Sequence, residues 1–188
     1  MKRWLVLGLL LLLSVTPGWA VNDIDTSKDA AVTWINTGGS EQLDLGDGVI
    51  GVSGAVGCGS YHDWADDPIP THYYIELNID GFDTAPVVNE SVDLYISMGE
   101  TTSLFTGPES LNDTADSTGS TARLPNLLYV GSVVVWSTTA GNNLVGSFFV
   151  EVKARYWAPC VHNRTADNFL TTGDAHSITV YPVKPQIQ

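Results

Sequence analysis

Four histidines, two cysteines and three close carboxylate pairs are the side chains with chemistry to offer in this chain. His62, His72, His162 and His176 stand far apart, and none falls in the HExxH spacing that sets two imidazoles on one helix face around zinc. There is no GxSxG elbow to expose a nucleophilic serine and no GxxxxGK[ST] loop to cradle phosphates. His62-Asp63 with a distant serine could complete a triad, but a chain this rich in serine offers such sets by composition alone. The carboxylates pair as Asp44/Asp47 in DLGDG, Asp66/Asp67 in WADDP and Asp80/Asp83 in DGFD. Glycosidases hold two carboxyl groups about 5–9 Å apart. Asp-Gly is first a turn dipeptide, however, because both residues tolerate the backbone angles of a tight turn, and Asp47-Gly48 and Asp80-Gly81 are read as turns. Oxygen ligands from such loops could also hold Ca²⁺, although the EF-hand spacing is absent; no other cofactor is implied. The expectation is a protein that is not an enzyme.

The most suggestive cluster is Tyr61, His62, Trp64, Asp66 and Asp67, in the segment CGSYHDWADDPIP. Aromatic faces beside carboxylates and a histidine suit a sugar-binding loop, with a flat apolar platform and hydrogen-bonding groups at its rim. The alternative is packing, with Trp64 and Tyr61 covering a bridge at Cys58 as a satellite core. Cys58 and Cys160 are the only cysteines. In an oxidising compartment they form one disulfide, closing a loop of about 100 residues and stabilising by roughly 4–5 kcal/mol in the chain-entropy model. Asn89-Glu-Ser, Asn112-Asp-Thr and Asn163-Arg-Thr fit the glycosylation pattern, which matters only in a glycosylating host.

The elements that must position these residues read as strands. Residues 1–20 come first, with Lys2 and Arg3, an apolar run too short to span a bilayer, and small residues at Gly18 and Ala20. They are read as a secretory signal peptide, or else as an uncleaved hydrophobic N-terminal arm. From residue 21 to 188 one domain is expected, with β-rich runs at 31–35, 48–56, 71–79, 91–98, 127–136, 144–156 and 176–183. Ile75, Leu77 and Ile79 alternate with Glu76 and Asn78, and Val92, Leu94 and Ile96 with Asp93, Tyr95 and Ser97. Phe149, Glu151, Lys153 and Arg155 share one face, and Phe148, Val150, Val152, Ala154 and Tyr156 the other. Period-two alternation makes sheets with one face buried and one wet, and this many strands imply an all-β, antiparallel β-sandwich of jelly-roll type. Residues 58–70 and 102–125 read as loops.

Charge bounds the partners. The 188 residues carry 21 acids and 8 bases, a net of −13. This argues against nucleic acid, whose affinity comes largely from Lys and Arg on phosphates. The acids are uneven: residues 21–120 hold 18 acids against Lys28 alone, whereas residues 121–188 hold three acids and five bases. Such polarity suits a solvated acidic surface, cation binding, or packing of an acidic face on a less acidic one. A membrane is expected to be met only through the leader.

From His72 onward the chain resembles tailed-phage virion structural proteins with a jelly-roll sandwich. The resemblance rests on YYIELNI, on the segment from Pro86 to Tyr95, on PNLLYVGS from Pro125 to Ser132, and on RYWAPCVHNRT from Arg155 to Thr165, followed by HSITVYPV. It implies a capsid-decoration or tail-associated role in a virion, with partners among other virion subunits or copies of the chain itself, and it assigns no ligand residues. The leader and disulfide suit an alternative: an exported, periplasmic or extracellular β-sandwich binding a carbohydrate or cell-surface ligand.

Overall fold

Alternating apolar residues build ten strands and, among the described residues, no α-helix. The computed structural model describes residues 31–35, 41–42, 54, 56–65, 69–99, 125, 127–170 and 176–183. The strands are β1 (Val32–Ile35), β2 (Glu41–Gln42), β3 (Val56–Cys58), β4 (His62–Asp63), β5 (His72–Ile79), β6 (Ser91–Gly99), β7 (Leu128–Val134), β8 (Leu144–Glu151), β9 (Tyr156–Asn163) and β10 (Ser177–Val183). The leader-like residues 1–20, Asp44, Asp47, Asp66, Asp67 and nearly all of the 102–125 loop lie outside the described residues.

Sheet A runs β2-β1-β10-β5-β8 and sheet B runs β3-β9-β6-β7, with β4 also paired to β9. Setting aside the two-residue strands β2 and β4, the other eight, counted along the chain, stand in the orders 1-8-3-6 and 2-7-4-5. This is the jelly-roll arrangement, two Greek keys folded into a double sheet. All pairings are antiparallel except the short β1–β2 contact.

The period-two reading holds best in β5, whose residues alternate half-buried and buried without exception. Ile75, Leu77 and Ile79 of β5 meet Val92, Leu94 and Ile96 of β6 in one core between the sheets, with Trp34, Trp157, Ile178 and Val180. A second, smaller cluster of Val56, Cys58, Leu127 and Cys160, with Tyr95 against it, lies on the far face of sheet B.

Three expectations change. The run at 144–156 is two strands, because the chain crosses from sheet A to sheet B between Glu151 and Tyr156 while its alternation continues. The supposed loop at 58–70 contains β4, paired with β9. Residues 156–163 form a central strand despite Pro159. Along a strand a residue's N and C=O point the same way, and the Pro159 carbonyl accepts the Gly59 N–H at 2.9 Å. The proline nitrogen therefore faces Gly59, just beyond the end of β3, where only the reciprocal bond to the Gly59 carbonyl is forgone, and the β6 ladder stays intact.

Candidate contact surface

The loop cluster divides on inspection. Trp64 is 4% exposed and joins the main core. Its ring stacks on Trp157 with centroids 4.7 Å apart and meets Tyr73 edge-on at 4.9 Å. Trp34 completes the set at 6.2 Å from both tryptophans and donates its indole N–H to the Ser60 carbonyl at 2.9 Å. A ring so covered offers no open face to a sugar. Nor does it cover the disulfide, as the packing alternative had it: the tryptophans fill the space between the sheets, and the bridge has its own cluster. Tyr61 and His62 are half-buried, with the Tyr61 hydroxyl bonded to Ser97 and the His62 ring edge-on to Trp64 at 4.6 Å. Asp63 accepts hydrogen bonds from Arg155 Nε at 2.7 Å and Nη2 at 2.9 Å, and this guanidinium holds its carboxyl below the ordinary carboxylate range. Both Asp63 oxygens are thus committed to a structural ion pair.

Cys58 and Cys160 form the expected disulfide, between directly opposed residues of β3 and β9. Gly81, just after β5, has φ +107°, a conformation that favours glycine, although no hydrogen-bonded turn forms at Asp80-Gly81. Among the described residues no three His, Cys, Asp or Glu side chains gather as a metal site would require. Among the same residues no helix is long and apolar enough to cross a membrane.

A polar node missed by sequence reasoning lies on the outer face of sheet B. Asp93 reads as a wet position in an alternating strand, yet it is 2% exposed. It accepts hydrogen bonds from Ser132 at 2.5 Å and Ser91 at 3.2 Å, and from Arg164 Nη1 at 3.3 Å. The Arg164 side chain remains largely exposed, so the buried carboxylate is paired with a cation at the protein–water boundary. Across the ladder stands His162, buried, with Nδ1 lacking a partner. Burial pushes its imidazole below the ordinary histidine value; the Asp93 carboxylate offsets part of this and Arg164 adds to it. A histidine with a depressed folded pKa binds its proton more readily when unfolded. Stability should therefore fall as pH drops through the ordinary histidine range near ~6.5. Thermal melts between pH 7.5 and 5.5 should show a steeper decline for the wild type than for His162→Gln, and parallel curves would contradict this assignment.

The exposed large hydrophobics concentrate elsewhere. Among the described residues β8 ends sheet A and β7 ends sheet B, and the two strands lie against each other, so both edges fall on one side of the sandwich. The two strands approach closely there because each carries a glycine. A Cβ on Gly131 would stand 2.5 Å from Phe148 Cε1, and one on Gly146 2.2 Å from Val133 Cγ2. Residues 124–150 contain no Asp, Glu, Lys, Arg or His, a 27-residue uncharged run in a chain with 29 Lys, Arg, Asp and Glu residues. Five of the nine large exposed hydrophobics among the described residues lie on this segment: Tyr129, Val134, Trp136, Val145 and Phe149, each more than half exposed. The signal was legible as that uncharged run, although strand alternation alone assigns these side chains only to a wet face.

An aromatic row reaches the same edge across sheet A, with Tyr181, Tyr74 and Phe149 in register on β10, β5 and β8. Tyr74 and Tyr181 are 5.9 Å apart, the Tyr181 hydroxyl donates to Glu76 at 3.2 Å, and His72 stacks on Phe149 at 5.6 Å. No protein-family model matches the sequence, and no curated protein shows significant similarity to it.

Proposed function

We propose that this chain is a non-enzymatic structural protein that works by contact, as a subunit or decoration protein of a phage virion. Its contact face is the β7/β8 side. One observation carries the reading: β7 and β8, the end strands of the two sheets among the described residues, lie in a stretch uncharged from 124 to 150 that exposes five large hydrophobics, with Tyr129 and Val134 on the outer face of sheet B and Val145 and Phe149 on that of sheet A. Proteins ordinarily blunt free edges with lysine, proline or charge, because unpaired backbone groups invite another strand. The jelly-roll fold adds only an analogy, since it serves capsid and lectin domains alike.

The test is a photo-reactive amino acid placed at position 136, with position 87, also exposed, as the control. Irradiation in the source material should join position 136 to a defined polypeptide, this chain or another, in high yield, and leave position 87 unlinked. No product at 136, or equal products at both, overturns the reading. Glycan or surface binding outside the cytoplasm is favoured as a second reading by the Tyr181–Tyr74–Phe149 row, an aromatic strip beside the Glu76 carboxylate. On that reading Tyr74→Ala abolishes glycan-array binding while the melting temperature changes little.

A further inference from the structure

We propose that two copies of this chain pair through β8, antiparallel about a two-fold axis at Ser147, joining two A sheets into one continuous sheet. The proposal rests on the contact reading above and names its partner as a second copy.

β8 is the better of the two open edges. Its ladder with β5 is unbroken over eight residues, from His72↔Glu151 to Ile79↔Leu144, so its outer edge is regular. The β6–β7 ladder, by contrast, shifts register between Leu94 and Tyr95, and such an irregularity makes β7 a poorer template. No strand among the described residues pairs with the outer edge of β8.

Charge selects the partner. Each copy carries a net of −13, so two copies repel over most of their surfaces and can meet closely only where carboxylates are missing. Residues 124–150 supply that place. A cationic partner would have no need of an uncharged face and would be drawn to the acids instead.

The sequence of β8 is self-complementary in one register. With Ser147 opposite Ser147 of the second copy, Val145 stands opposite Phe149, Gly146 opposite Phe148 and Leu144 opposite Val150. Aromatic residues then face β-branched or glycine positions, the pairings that stabilise antiparallel ladders and shield glycine. Glu151 falls opposite Asn143, so no carboxylate is buried against its symmetry mate. Moving the axis to Phe148 would set Glu151 against Val145, and moving it to Phe149 would set Glu151 against Ser147. Both bring the charge into the pairing, whereas the Ser147 axis keeps it at the end. The aromatic row of sheet A, which stops at the exposed Phe149, would continue onto Val145 of the second copy. An isologous contact of this kind closes at two.

The full chain is tested by light scattering and thiol cross-linking. The wild type should elute at twice the 20.2 kDa chain mass, and Phe149→Lys at the chain mass. Because Cys58 and Cys160 are bonded to each other, an introduced cysteine is the sole thiol. Ser147→Cys should be joined to its mate by a short bis-maleimide. Val145→Cys, whose mate lies four residues along the ladder, about 14 Å away, should give at least tenfold less product. Both positions are exposed, and a wild-type melting temperature shows that each variant folds. Dimeric mass with equal cross-linking of the two variants overturns this register and leaves the contact reading standing. Monomeric mass at every concentration overturns the proposal. If position 136 then still captures another polypeptide, the contact reading survives; if it captures nothing, both fall.

Discussion

Trp64→Ala lowers stability by about 3–5 kcal/mol, the range for removing a large aromatic from a packed core. For a domain of this size that is a melting-temperature drop on the order of 10 °C. The ring is 4% exposed, stacked on Trp157 and in edge contact with Tyr73, so truncation opens a cavity between the sheets. Its indole N–H has no hydrogen-bond partner, and neither has that of Trp157. An orphaned buried donor costs roughly 1–3 kcal/mol. Trp64→Phe removes that penalty while keeping most of the ring, so its loss should be well under half that of Trp64→Ala. The two melts together separate packing from ligand recognition. A sugar platform would leave the alanine variant as stable as wild type and would remove binding; this core position does the reverse.

The second large effect is the disulfide. Replacing both cysteines, Cys58→Ala with Cys160→Ala, should cost about 4–5 kcal/mol, because the bridge closes a loop between residues 102 apart and restricts the unfolded chain. The native ladder loses little, since β3 and β9 are already neighbours at this point. The effect therefore lies mainly in the unfolded state. In a urea titration the midpoint should fall and the slope should rise, because the reduced unfolded chain exposes more surface. An unchanged midpoint would show that the bridge constrains nothing the fold does not already hold.

What could be read from the sequence follows from which forces are local. Strand alternation is local, so β5, β6 and β10 were legible within a residue or two, and the two cysteines could pair only with each other. The jelly-roll-type sandwich followed from the number of strands, whereas their order is a property of the folded sheets. β9 goes beyond the sequence reading, whose run ends at Tyr156, because the side on which Pro159 turns its nitrogen away from β6 depends on topology. Trp64 was ambiguous because a tryptophan beside acids suits a binding loop as well as a core edge; the position of Trp157 on another strand decides it. Asp93 reads as a wet residue because alternation describes one sheet face at a time and is blind to what covers the other, yet it is buried. The open β7/β8 side depends on which strands end their sheets, which is a property of topology and not of any segment.

That side carries the functional account, and hydrogen exchange tests it most directly. Peptides covering residues 127–151 should be compared in the isolated chain at high dilution and in the proposed assembly. The expected result is strong protection of 127–151 in the assembly alone, with β5 and β10 unchanged. Equal exchange of 127–151 in both states, with protection appearing on a different face, would contradict the account.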